Sequence, residues 1–485
     1  MADLDPAEFR RLGRAVVDWV ADYRAGLAEL PVRPAVAPGE VRAALDKPLP
    51  EQPRPLAELL DELDRVVVPG TTHWQHPRFF GYFPANASLH SLLGDLLSGG
   101  LGSQGMLWST GPATTELEQL LLDGLAVELG LDAGFTFGGG GGGSIQDSAS
   151  SAALVALLAA LHRAQPDWRE HGVTGRERVY VTAETHSSLA KAVRVAGLGA
   201  KALRVVEGDP ATAAMAPGAL DAALTADRAA GLLPVLVCAT VGTTGTGAVD
   251  PVREIAAVLD RHRADGPGAW LHVDAAWAGV AALCPEHRHL LDGVERADSF
   301  CTDAHKWLLT AFDASLLWVR SGTALPDALS ITPEYLRDAA SESAQVVDYR
   351  DWQVPLGRRF RALKLWTVVH GVGLAGLREH IRGHVALATD LAGRVRADPG
   401  FALAAAPSLA LVCLRVVTGR GADADDAATR RVLERINASG RALVTHTVVG
   451  GRYVLRVAIG SVGTGAEHVE QLWELLRTES AAARG

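Results

Sequence analysis

The sequence predicts an α/β protein with a mainly parallel central sheet, an N-terminal helical arm and a small C-terminal α+β domain. Between residues 178 and 275, short apolar runs (RVYVTA, ALRVV, PVLVCATVG, AWLHVDA) alternate with helical segments. Strands that crossover helices bury on both faces read in this way. The N-terminal stretch carries helical stripes with little prospect of its own core, and past residue 400 strand-like and helical runs resume in a separate pattern. The expected divisions are 1–85 for the arm, 86–370 for the large domain and 371–485 for the small one.

Composition narrows the classes of function. A chain of 485 residues, 48% hydrophobic and 21% charged, suits a globular protein with a large core and not a disordered one. A net charge of -10, with no basic run, argues against nucleic acid as a partner. The 4 cysteines (Cys238, Cys284, Cys301, Cys413) are widely spaced without a CxxC pair, which is neither a disulfide framework nor a zinc ribbon and points to a reducing compartment. CPEHRHL places Cys284, His287 and His289 close together, but their spacing does not put three ligands on one helical face, so no metal is expected. The N-terminus lacks the apolar core of a signal peptide, and no apolar run reaches membrane-spanning length. The expectation is a soluble, cytoplasmic protein.

Taken in order, Phe9, Leu12, Val16, Val20, Tyr23, Leu27 and Leu30 form an i, i+3, i+4 stripe that docks either on a core or on a partner subunit. A proline-rich connection then leads to a second helix over 56–67, and such an arm favours an intertwined homodimer. HWQHPRFFGYFPANAS sets Trp74, Phe79, Phe80, Tyr82 and Phe83 close together in a chain only 6% aromatic. Pro77, Gly81 and Pro84 disfavour a regular element, so the segment reads as a loop lining a pocket for an apolar or aromatic ligand. A helix is expected over 114–129, capped by Thr114 or Thr115, with Glu116 and Glu118 in its first turn. Six glycines, Gly138 to Gly143, precede small hydroxyl residues and an apolar helix from about Ser150. Amides freed by glycine at a helix start would cradle a phosphate. The run lacks the Lys-Ser/Thr of a nucleoside-triphosphate loop and has no convincing strand before it, which disfavours a nucleotide-binding oxidoreductase.

Ligands on parallel sheets gather at the carboxyl ends of strands. His186, Thr243, Thr244 and Asp274 all lie at or just past such ends. Lys306, beside His305, offers an amine able to condense with an aldehyde, and Asp274 a carboxylate able to protonate a ring nitrogen. That is the minimum equipment for pyridoxal phosphate (PLP) chemistry. The irregular stretch 321–349 reads as a mobile loop, followed by a long helical region to about residue 395.

With HPRFFGYFP, TELE, IQDSAS, ETHSS, ATVGTTGT, WLHVDAAWAG, HKWLL and DYRDWQVPLGRRFRALKLW in this order, the chain resembles the group II PLP-dependent amino-acid decarboxylases. The closest look is to the aromatic-L-amino-acid decarboxylases, over residues 9–475. The resemblance implies a fold-type-I PLP enzyme, homodimeric, with an active site near the subunit interface. It implies that Lys306 holds PLP, Asp274 partners the pyridine nitrogen and His186 stacks on the ring. Ser148, Ala149 and Ser150 match the phosphate-binding segment, and Thr244 and His305 further cofactor contacts. Tyr335, in TPEYL, matches a loop tyrosine that protonates the carbon after carbon dioxide leaves. Trp74, Tyr82, Phe83, Pro84 and Ala85 match the substrate pocket.

The activity implied is decarboxylation of an aromatic L-amino acid (tryptophan, tyrosine, phenylalanine or dihydroxyphenylalanine type) to its amine. One alternative is an aromatic aldehyde synthase, a group that resembles this chain but tends to carry Phe where Tyr335 stands. Another is a decarboxylase of a non-aromatic amino acid, which the aromatic cluster around Tyr82 disfavours. Four positions depart from the pattern: Asp303 where relatives often carry Asn or another neutral polar residue near the phosphate, Ala85 in place of a hydroxyl residue, and Gln104 and Met106 at positions more aromatic or aliphatic in animal relatives. A carboxylate aimed at a phosphate is repelled unless it turns away or is protonated.

Overall fold

The computed structural model of the chain describes residues 3–46, 48–263, 268–331 and 346–484. It divides into two compact units, one of Ala85–Ala392 with Leu403–Cys413, the other joining Met1–Pro84 to Gly393–Ala402 and Leu414–Gly485.

The larger unit is built on seven strands: β1 (Gly142–Gln146), β2 (Glu177–Val181), β3 (Leu203–Val205), β4 (Leu233–Thr240), β5 (Trp270–Asp274), β6 (Ser299–Asp303) and β7 (Ser315–Val319). Their order across the sheet is β1-β7-β6-β5-β4-β2-β3. Strand β7 runs antiparallel to both neighbours, β1 and β6, while the remaining adjacent pairs are parallel. Hence β1 points the same way as β2 to β6, and the carboxyl ends of six strands share one edge. Every residue of β1, β5, β6 and β7 is buried, as expected for strands covered on both faces. The helix Ala149–Ala164 supplies part of that cover with Ala152, Ala153, Val155, Leu157, Ala160 and Leu161, packed with Val179, Leu236 and Leu317.

Two expectations are corrected. The glycine run does not itself form the phosphate cradle, because Gly142 and Gly143 are the first residues of β1. A side chain at Gly143 would meet the Trp318 ring at 2.9 Å, so glycine is there to let β1 approach its neighbours closely. The strand missing in front of the helix Ala149–Ala164 is therefore β1, which the last two glycines of the run open. The second correction concerns the helix Pro112–Leu129, which starts earlier, with Gly111 before it and proline in its first turn; neither Thr114 nor Thr115 caps it.

Glu118 does not serve that helix's dipole. It lies fully buried and paired with Arg358, also fully buried, and its Oε1 accepts the Ile145 N–H at 2.6 Å. Arg358 donates to the Ile145 carbonyl at 2.8 Å, and its guanidinium lies 4.4 Å above the Tyr349 ring. The Tyr349 hydroxyl in turn donates to the Gly143 carbonyl at 3.0 Å. This knot fastens β1, and so the start of the helix Ala149–Ala164, to the rest of the unit.

The C-terminal part carries a four-stranded sheet, β8 (Phe401–Leu403), β9 (Leu411–Val416), β10 (Thr445–Val449) and β11 (Arg452–Ala458), in the order β10-β11-β9-β8. In the smaller unit the aromatic segment is threaded along this region. Phe80 donates its N–H to the Leu443 carbonyl at 2.8 Å and accepts from Ala458 at 3.0 Å. Phe79, fully buried, packs with Val32 and Leu443. The first helix, Pro6–Ala25, is capped by Asp5, which accepts from Ala7 and Glu8 at 2.8 and 2.9 Å.

The Glu118–Arg358 pair yields a stability prediction. Arg358→Met leaves a buried carboxylate uncompensated and should cost about 3–5 kcal/mol in urea unfolding. Combining it with Glu118→Leu should recover most of that loss.

Candidate active site

The sheet's shared edge gathers the polar residues. Strand β1 ends at Gln146 and is followed by Ser148, whose Oγ caps the helix Ala149–Ala164 by accepting from Ser151 N–H at 3.3 Å. The first-turn amides of Ala149 and Ser150 have no acceptor within the helix, and they point along its axis. After β2 comes His186, exposed at the start of the helix Ser187–Val195, with Nδ1 held by Ser188 Oγ at 2.9 Å. After β4, buried Thr243 closes a turn by accepting from Ala248 N–H at 3.0 Å, which leaves the neighbouring Thr244 exposed. Asp274 ends β5, buried, with Oδ1 accepting from Ala276 N–H at 3.0 Å.

Lys306 belongs to a single helical turn, Ala304–Trp307, directly after β6. Its Nζ lies 2.8 Å from Asp303 Oδ2. Burial draws the amine's pKa down, but Asp303, as charge and hydrogen-bond partner, and then Asp274 together raise it above its ordinary value. Burial pushes Asp303 up, yet Lys306 and then His305 hold it below the usual carboxylate range. An ammonium–carboxylate pair therefore sits at the end of β6, within the field of Asp274. His305 is turned toward the same carboxylate, Nε2 to Asp303 Oδ2 at 3.5 Å, and its Nδ1 accepts from Ala314 N–H at 3.1 Å.

The turn is held from two sides. Asn86 donates its backbone N–H to the His305 carbonyl at 2.9 Å and its side-chain amide to the Lys306 carbonyl. Trp307, buried, stacks on Trp277 with ring centroids 5.3 Å apart, and its indole N–H donates to His384 Nδ1 at 3.0 Å. Trp277 lies three residues past Asp274, so this stack couples the two chemical arms mechanically. Asn86, Asp303, Trp277 and His384 were not singled out from sequence as site residues. Only Asp303 carried a signal there, as a departure from the expected Asn.

The aromatic loop sorts by exposure. Phe79, Phe80 and Phe83 are core residues, whereas Trp74 and Tyr82 are 39% and 55% exposed and stack at 5.6 Å between centroids. Arg456 braces the loop, its guanidinium 4.4 Å above Phe83 and donating to the Tyr82 carbonyl. Trp74, Tyr82, Phe83 and Pro84 belong to the smaller unit and Ala85 to the larger. Tyr335 lies outside the described residues.

A reactive amine, a carboxylate within its field and a helix start with unpaired amides fit a cofactor that carries an aldehyde, a ring nitrogen and a phosphate. This is the equipment of a PLP enzyme. The model of the pyridoxal-dependent decarboxylase conserved domain matches residues 38–417. The chain is 42% identical to a phenylacetaldehyde synthase of Arabidopsis thaliana over 99% of its own length and 97% of that protein. It is equally, 42%, identical to tryptophan decarboxylase 2 of Oryza sativa subsp. japonica, over 99% of this chain and 96% of the relative. Its fold matches the crystal structure of Oryza sativa TDC with PLP and tryptamine at a TM-score of 0.96, with 41% identity and 100% of both chains covered. The chain belongs to the pyridoxal-dependent decarboxylase family.

Because Asp303 favours the protonated amine, Asp303→Asn should lower the Lys306 pKa. Only the neutral amine attacks an aldehyde. Covalent PLP uptake by cofactor-free protein, trapped with borohydride across a pH series, should therefore rise at lower pH in the variant than in the parent.

Proposed function

We propose that the protein decarboxylates an aromatic L-amino acid to the corresponding amine and carbon dioxide. The observation that carries this reading is Lys306, paired with Asp303 and within the field of Asp274, at the carboxyl edge of the sheet. PLP, when bound, supplies an electron sink for the pair left behind as the Cα–carboxylate bond breaks. Lys306 Nζ is the amine that holds the cofactor. Asp274 keeps a proton on the ring nitrogen, and His186 limits the tilt of the ring. Ser148, Ala149 and Ser150 present hydroxyl and amide donors to the phosphate, with Thr244 and His305 beside them. Trp74, Tyr82, Phe83, Pro84 and Ala85 receive the substrate's aromatic side chain. Tyr335 returns a proton to Cα from its hydroxyl.

The second reading, an aldehyde synthase, is favoured by the identity to the Arabidopsis thaliana phenylacetaldehyde synthase. Tyr335 speaks against it, since the aldehyde-forming group tends to carry Phe at that position. Purified protein supplied with tryptophan, tyrosine, phenylalanine and dihydroxyphenylalanine should release carbon dioxide and amine in equal amounts, without peroxide. Peroxide and aldehyde in equal amounts would overturn simple decarboxylation. Tyr335→Phe should lower amine formation on the order of 10²-fold or more while leaving PLP bound; unchanged amine output would remove the tyrosine from the mechanism.

We further infer a homodimer. The helix Pro6–Ala25 buries none of its residues, leaving Phe9, Val16 and Val17 exposed. In the larger unit, the helix Leu89–Leu101 leaves Leu89, Leu93, Leu96, Leu97 and Leu101 each more than half exposed. Contiguous apolar faces of this kind mark contacts with another chain. Sedimentation should give a dimer, and Leu93→Lys with Leu97→Lys should shift it toward monomer; a monomeric parent protein would end this reading. Among the described residues, no helix is long and apolar enough to cross a membrane. All 4 cysteines are free and buried, which accords with a place in the reducing cytoplasm.

A further inference from the structure

Behind Asp274 lies a series of polar side chains that the cofactor site does not itself use. Strands β5 and β6 are parallel, with His272 beside Ser299 and Asp274 beside Cys301. Side chains alternate between the faces of a strand, so Trp270, His272 and Asp274 share one face with Ser299 and Cys301. All five are buried. Trp270 Nε1 lies 2.7 Å from Ser299 Oγ, and Ser299 Oγ lies 2.8 Å from His272 Nδ1. His272 Nε2 is 3.8 Å from Cys301 Sγ, which is 3.8 Å from Asp274 Oδ1, contacts lengthened by the size of sulfur.

The outer links have fixed directions, and the tautomer of His272 sets the inner ones. An indole N–H only donates, so Ser299 accepts from Trp270, and with the imidazole hydrogen on Nε2 the Ser299 proton goes to His272 Nδ1. The Nε2 hydrogen faces the sulfur. The thiol proton is left for Asp274, whose Oδ1 accepts it. Each donor thus points toward Asp274, an arrangement in which successive bonds polarise one another.

We infer that Cys301 and His272 are positioning residues for Asp274: the Trp270–Ser299–His272–Cys301 series aims a neutral donor at Oδ1 and fixes the carboxylate so that Oδ2 meets a ring nitrogen. The inference rests on Asp274 being the partner of that nitrogen. The protonation states agree with it. Burial lowers the His272 pKa to about 4, keeping the imidazole neutral. Burial, then the charges of Asp274 and Asp303, hold the Cys301 thiol well above its ordinary value against the opposing charge of Lys306, so the sulfur keeps its proton. A cation in the same place would neutralise Asp274; a thiol orients it and leaves its charge intact.

Infrared spectroscopy of the cofactor-free protein tests the final link directly. The Cys301 S–H stretch is the band lost in Cys301→Ala, and in Asp274→Ala it should shift to the higher frequency of an unbonded thiol. Titration with PLP, read by fluorescence, should show binding weakened roughly tenfold by Cys301→Ala and within about twofold of the parent for Cys301→Ser, which keeps a donor. Borohydride trapping and peptide mapping of the parent protein separate the two levels. PLP fixed anywhere but Lys306 would sink the reading of the site itself. PLP on Lys306, with an S–H band indifferent to Asp274→Ala or with Cys301→Ala binding PLP as tightly as the parent, would overturn the relay alone.

Discussion

The register of β5 against β6 is the constraint from which the site follows. Pairing Asp274 with Cys301 puts the carboxylate one strand away from the turn that carries Lys306. Because side chains alternate, a slip of one residue would send Asp274 to the opposite face of the sheet. The opposite face guards against that slip, since it buries Leu271 and Val273 beside Phe300. Apolar packing on one face thus protects the polar chemistry on the other.

The same economy appears at Lys306. A lysine amine buried in a protein is costly unless a counter-charge accompanies it. Asp303 meets that need at 2.8 Å, and His305 and Asn86 hold the backbone and the carboxylate around it. The carboxylate that looked out of place beside a phosphate is turned instead to the amine. Anion and cation wait together at the end of one strand, and the rest of the edge supplies hydrogen-bond donors.

Much of this was legible in the sequence, for identifiable reasons. Strands β4 and β7 are apolar runs whose signal is local, and β2, β3 and β5 are shorter apolar runs interrupted by Arg178, Arg204 and His272; Asp274 and Lys306 could be read because their chemistry is unusual at strand ends. The glycine run misled, because glycine serves both loops and closely packed strands, and only the Trp318 ring across the sheet tells which. Glu118 read as a helix-dipole residue; its partner, Arg358, lies 240 positions away, and no local pattern announces such a pair. Trp277, Trp307 and His384 escaped notice for a related reason, since buried aromatic residues look alike until their mutual distances are known.

The division of the chain bears on how such an enzyme diversifies. Lys306, Asp274 and the residues that steady them lie in the larger unit, while the aromatic segment is fixed within the smaller one, Phe80 by Leu443 and Ala458 and Tyr82 and Phe83 by Arg456. Each set is thus secured by its own neighbours and its own core. Substitutions that reshape the aromatic loop need not disturb the register of β5 and β6, so either set can change through generations without unsettling the other.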